Sequence, residues 1–158
     1  MRAIIAASVV ILSLCTYGYG QRGGGNFMPP GPGGGFPGRG PIPPVEKYFN
    51  EGNSLAEQRK YKEAVESFQN ALNHVQGLEN SKISDIYNNM AYAYLGAGMK
   101  AEAKGAAEKA VSLATTAMTL DTLGDVYQAI GDKQASCRAF DRACNAGGSE
   151  SCRKKSAC

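Results

Sequence analysis

Tryptophan is absent from the 158-residue chain, and histidine occurs once, as His74. One histidine excludes an HExxH zinc site and leaves little for a catalytic triad. No GxxxxGK[ST] phosphate loop is present. A dominant charge sign is lacking too: the formal net charge of +3 comes from mixed signs spread along the chain, too weak a bias to imply nucleic acid. The five cysteines include no CxxC pair, so the usual spacing of a redox centre is missing. No group of residues converges with a catalytic role for each, so the expectation is a protein that is not an enzyme and takes no cofactor or metal. Proline is missing from residues 45–158: all seven prolines lie in residues 21–44. Helix can therefore run uninterrupted by proline over the rest of the chain.

The N-terminus reads as a targeting segment. Arg2 precedes the run "AIIAASVVILSL", 12 mostly apolar residues from Ala3 to Leu14. That is short for a membrane span and suits a signal-peptide core. Gly18 and Gly20 are small residues placed for cleavage ahead of Gln21, giving a signal peptide over residues 1–20. A cut nearer Cys15 is the alternative. "LSLC" resembles a lipobox that would place a lipid anchor on Cys15, but Leu14 stands where that pattern has a small residue. Secretion is preferred, with no transmembrane segment in the mature chain. Residues 21–44, "QRGGGNFMPPGPGGGFPGRGPIPP", hold nine glycines and seven prolines. A Gly/Pro-rich disordered tether is expected there, because such a segment buries too little apolar surface to offset the entropy of ordering. Phe27, Met28, Phe36 and Ile42 could serve instead as adhesive points on a partner or a neighbouring copy.

From Val45 onward the apolar residues follow helical spacing: Val45, Tyr48, Phe49, Gly52, Leu55 and Ala56, then Tyr61, Ala64, Val65, Phe68, Ala71, Leu72 and Val75. Only Arg59-Lys60 separates these stretches, which makes them antiparallel neighbours. The pattern recurs. Gly52 and Ala64, Ala91 and Ala103, and Gly124 and Ser136 are each 12 residues apart. Two antiparallel helices approach closely only where both carry small residues. "YFNEGNSLAEQRKYKEAVESFQNAL", "YNNMAYAYLGAGMKAEAKGAAEKAV" and "LDTLGDVYQAIGDKQASCRAFDRAC" resemble the tetratricopeptide repeat. Ala107 departs from the aromatic the family prefers, Lys100 from its Tyr and Glu51 from its Leu. The extra residues between the first two units fall in "HVQGLENSKIS", read as a longer loop. The resemblance implies an all-α fold, a right-handed α/α solenoid of three repeats at about residues 45–78, 84–116 and 117–147.

Four cysteines, Cys137, Cys144, Cys152 and Cys158, end the chain in "CRAFDRACNAGGSESCRKKSAC". Gly147 and Gly148 suit a helix end, and Ser149 suits the cap of a short helix over residues 149–158 that folds back on the last repeat. Antiparallel packing sets Cys144 beside Cys152, and Cys137 roughly level with Cys158, giving nested disulfides Cys144–Cys152 and Cys137–Cys158. Cys152 and Cys158 point about 120° apart on an unbroken helix, so the final turn must fray. "ACNAGGSESC" also resembles the cysteine-rich Sel-like repeats of exported bacterial proteins, in which a cysteine ending one helix bonds to one starting the next. The rival, a Cys₄ zinc site, would want cysteines two to four apart; the gaps here are seven, eight and six.

The repeat resemblance also implies a peptide-binding groove lined by the first helix of each repeat. Its candidate residues are Phe49, Asn53, Asn88, Asn89, Tyr92, Asp121, Asp125 and Gln128, with Glu46, Ala56 and Asp85 beside them. Relatives that clamp acidic chaperone C-termini use lysines, arginines and asparagines. Asn53 and Asn89 match the asparagines, whereas Phe49, Met118 and Thr122 replace the basic residues. The expected function is an exported scaffold or adaptor that binds a protein or peptide segment, with no nucleic-acid partner. The alternative is a structural subunit that assembles with copies of itself into an extracellular fibre or surface layer. The expected location is secreted, periplasmic or at the cell exterior, because disulfides persist there.

Overall fold

The periodicity after Pro44 becomes seven helices among the described residues: α1 (Pro44–Glu57), α2 (Tyr61–Leu72), α3 (Asn80–Gly96), α4 (Lys100–Leu113), α5 (Ala117–Ile130), α6 (Lys133–Asn145) and α7 (Ser149–Ser156). They come from a computed structural model that describes residues 43–156 and Cys158. The expected signal segment, Cys15 and the Gly/Pro arm up to Ile42 lie outside the described residues. No strand occurs among the described residues. Helices α1/α2, α3/α4 and α5/α6 form three antiparallel pairs stacked in order, with α7 packed on α6. This is the expected three-repeat solenoid.

Proline opens α1 at its first position, where a missing N–H costs no helical bond. α5 begins with a capping box in which the Thr116 side chain accepts from Thr119 N and Thr116 N donates to Thr119 Oγ1. At α6, Asp132 Oδ1 accepts from Ala135 N at 2.9 Å. All three hairpin turns close identically. Lys60 N donates to Leu55 O, Met99 N to Tyr94 O, and Asp132 N to Tyr127 O, each at 2.9 Å. This Schellman closure needs a left-handed residue just before each donor. Glycine fills that position in two turns, Gly98 at φ 77° and Gly131 at φ 88°. In the first turn it is Arg59, at φ 61°, the one non-glycine with positive φ among the described residues.

The loop between the first two repeats differs from the expectation. α2 ends at Leu72 and α3 starts at Asn80, so "NSKIS" is helical and the added residues split between a loop and an extra turn of α3. Nothing in "NSKIS" breaks a helix, and the loop is closed instead at Gly77, with φ 77°.

The small residues do bring the helices of each pair together. A Cβ on Gly52 would lie 2.6 Å from the Phe68 ring, and one on Gly124 would lie 2.4 Å from the Phe140 ring. Phe68 and Phe140 are buried at 0% and 3% exposure and need that glycine gap. Repeat 2 solves the same contact differently. Ala91 and Ala107 hold the positions equivalent to Gly52 and Phe68, so a methyl replaces the glycine hydrogen and a methyl replaces the ring, and both residues are fully buried. The departure at Ala107 is therefore matched across the helix pair. Ser136 goes further, donating from Oγ to Gly124 O at 2.9 Å across the narrow gap.

Equivalent positions also tie each repeat to the next. Gln69 Nε2 donates to Tyr94 Oη at 3.2 Å, and Tyr127 Oη donates to Glu108 Oε1 at 3.0 Å. Asp141, the next equivalent position on α6, pairs with Lys155 of α7. Tyr61 covers Gly96 at the end of α3, where a Cβ would lie 2.6 Å from its ring. One repeat on, Lys100 donates to Ala129 O at 2.7 Å near the end of α5. The lysine that departs from the family's tyrosine thus serves as a C-terminal cap for the next repeat's first helix.

Candidate functional site

The groove face is built from α1, α3 and α5, whose helical periods bring every third or fourth residue to the same side. Asn53, Asn88, Asn89 and Tyr92 come together as expected. With Ala56 and Thr122 they line a depression of about 590 Å³. Asn89 Nδ2 donates to Asn53 Oδ1 at 2.8 Å, tying α3 to α1, and Asn88 Nδ2 donates to Asn89 Oδ1 at 3.4 Å. The three amides form a one-way chain ending at Asn88, which is only 5% exposed. Its Oδ1 accepts no hydrogen bond among the described residues. Tyr92 stands beside it 61% exposed.

Phe49 lies apart from this cluster. It packs against Phe68, with ring centroids 6.0 Å apart, and lines a second depression with Pro43, Val45, Leu78, Asp85 and Ile86. Gln128 is exposed and lines a third depression beside Cys137 and Cys158.

Asp121 and Asp125 are engaged by the chain itself. Lys154 Nζ donates to Asp121 Oδ2 and to both carboxylate oxygens of Asp125, all at 2.8 Å. Ser151 Oγ donates to Asp121 Oδ1, and Lys154 also sits 5.1 Å from the Phe140 ring centroid. Burial would depress the Lys154 ammonium, but the hydrogen bonds and charges of Asp121 and Asp125 outweigh it and hold its pKa above the usual value. Sequence reasoning placed both aspartates in the groove lining and missed Lys154. A signal existed: Lys154 follows Asp121 by 33 residues, the spacing from Ala91 to Gly124, so α7 is in phase with a further first helix.

The structure places Cys144 and Cys152 with Cα atoms 4.6 Å apart, and Cys137 and Cys158 with Cα atoms 5.7 Å apart, both pairs at disulfide distance. α7 starts at Ser149 itself and ends at Ser156. Gly148, not Ser149, supplies the carbonyl that accepts from Cys152 N. Beyond the helix end, Cys158 N donates to Lys155 O at 2.9 Å, a tighter turn that lets Cys158 reach Cys137. Among the described residues no cluster of histidine, cysteine or acidic residues could hold a metal ion. No helix among them is long and apolar enough to cross a membrane.

Paired helices, the recurring close approach and the shared turn closure define the class: an α/α solenoid of tetratricopeptide-like helix hairpins. Family models of the tetratricopeptide repeat match residues 45–77 and 84–116. Among solved structures, the chain is similar to the Sgt2 TPR domain from Aspergillus fumigatus. The TM-score is 0.61 at 23% identity, over 69% of this chain and 70% of that one, a likeness of fold. No curated protein matches the chain.

Proposed function

We propose that the protein is an exported adaptor that binds an extended, uncharged peptide segment in the groove between α1, α3 and α5. The observation that carries this reading is the depression of about 590 Å³ in which the half-buried Asn53 and Asn89 amides lie beside the exposed Tyr92. The donors and acceptors these two amides do not spend on each other can pair with the backbone of a bound peptide. Tyr92 offers an exposed aromatic face for an adjoining side chain. Met118 and Thr122, where chaperone-clamping relatives carry cations, argue against capture of a carboxylate terminus. Export rests on the N-terminal apolar run and on two cysteine pairs at disulfide distance. In this reading residues 1–20 are a signal peptide, residues 21–44 a tether and residues 45–158 the binding domain.

The test selects random peptides on the oxidised mature protein and measures their affinity by calorimetry. Asn89→Ala and Tyr92→Ala should each weaken selected peptides about tenfold, equivalent to roughly 1.4 kcal/mol. Gln69→Ala, outside the groove lining, should leave affinity unchanged. Full affinity in both groove variants would refute the site.

A further inference from the structure

The two cysteine pairs sit in unlike surroundings. Cys144 and Cys152 are both half-buried at the turn between α6 and α7. Cys158 is exposed, and together with Cys137 it borders a depression of about 470 Å³. Lys133, Lys154, Gln128, Ser136 and Phe140 complete that lining. Lys154 is neutralised by Asp121 and Asp125, whereas Lys133 is exposed and has no ion-pair partner among the described residues. An open cavity beside an exposed sulfur, with a free cation on its wall, suits attack by an incoming thiolate. Neither Cys144 nor Cys152 lines any of the three depressions described.

We propose that the Cys137–Cys158 bridge is a thiol-exchange site for a dithiol reductant, and that its opening frees Lys154 from the Asp121–Asp125 pair. The reductant's first thiolate attacks the exposed Cys158 Sγ and forms a mixed disulfide. Cys137 leaves as a thiolate near the Lys133 ammonium. The reductant's second thiol, deprotonated, then attacks the mixed disulfide and releases the Cys158 thiolate. The reductant loses two electrons and becomes a disulfide, and the bridge gains them. The two protons shed by the reductant's thiols balance those taken up by Cys137 and Cys158. The inner bridge still anchors the start of α7, and Ser151 stays buried. Only the last turn loosens. Its contacts are those of Lys154 with Asp121 and Asp125, and of Lys155 with Asp141. Their loss leaves two carboxylates on α5 open to a cationic side chain of a partner.

The experiment treats the oxidised mature protein with limiting dithiothreitol, quenches with iodoacetamide at intervals and maps alkylated peptides by mass spectrometry. Cys137 and Cys158 should be alkylated about tenfold or more faster than Cys144 and Cys152, as expected for an accessible bridge, with far-UV helicity retained. Amine labelling of Lys154 should rise several-fold over the same interval, as bulk access replaces its contacts, while that of Lys100 stays constant. Lys133→Gln should slow the first step several-fold through the lost cation. Simultaneous opening of both bridges, or inner opening first, would overturn the site. Unchanged Lys154 labelling after the outer bridge opens would overturn the release, and an unchanged rate in Lys133→Gln would overturn the lysine's part.

Discussion

Gly124→Ala should destabilise the third repeat, and the same substitution should become stabilising once the Phe140 ring is removed. A Cβ on Gly124 would meet Phe140 Cε1 at 2.4 Å and Cδ1 at 2.5 Å. Carbon atoms settle at roughly 3.5–4.0 Å, so the ring would have to retreat by about 1 Å. Phe140 is 3% exposed, with the Lys154 ammonium over its ring, and has little room to give. Overpacking of this kind costs about 1–3 kcal/mol. Replacing glycine by alanine inside a helix returns about 1 kcal/mol. The net expectation is a loss of up to about 2 kcal/mol in the native background. In a Phe140→Ala background, itself destabilised by about 3–5 kcal/mol, the clash is gone and the new methyl fills part of the cavity. Gly124→Ala should then gain about 1 kcal/mol, a coupling of about 1–3 kcal/mol between the positions. The chain already contains the outcome of that exchange, in Ala91 and Ala107. Urea unfolding of the four proteins under non-reducing conditions measures it, with equal slopes confirming a common unfolded state. A stabilising Gly124→Ala in the native background would refute the close-approach argument, as would equal effects in both backgrounds.

Three further outcomes are expected. Arg59→Gly should stabilise the chain by about 0.5–1 kcal/mol in thermal or urea unfolding, because the left-handed turn position strains arginine and not glycine. Thr116→Ala should cost about 1 kcal/mol through loss of the α5 capping box, also read by urea unfolding. The third concerns alkaline pH. A lysine whose pKa is raised on folding contributes stability that is fully present below its unfolded value of 10.5 and is lost as pH rises through the folded value. Stability should therefore fall above about pH 10.5, and Lys154→Met should remove part of that fall. Burial and the hydrogen bond to Glu108 raise Tyr127 as well, so Tyr127→Phe should remove another part. An alkaline slope unchanged in both variants would contradict both assignments.

The hairpins were legible in sequence because their determinants are local. Apolar spacing marked α1 and α2, and the 12-residue step between small residues fixed the helix register. Position 98 and position 131 announced their turns with glycine. Arg59 gave no such sign, because the strain there is set by the closure around it and not by the residue. The groove was legible in part. Asn53, Asn88, Asn89 and Tyr92 share a face by period alone and do meet. Asp121 and Asp125 share that face too, yet their state depends on where α7 folds, and only the repeat spacing to Lys154, not the pattern on α5 itself, points to that partner. Phe49 was read as a groove residue because its position on the helix allows it. Its contact with Phe68 is a matter of side-chain packing that periodicity does not encode.

The placement of α7 also gives the stack a direction. Repeats of this kind can in principle be added without limit, since each new pair covers its predecessor and offers a fresh face. Here the face beyond α6 is occupied by a helix that repeats the usual tie through Asp141 and Lys155 and carries two cysteines that face partners on α6. α7 thus covers the face on which a further helix pair would otherwise stack, and a copy of the chain could use that face only after α7 had left it.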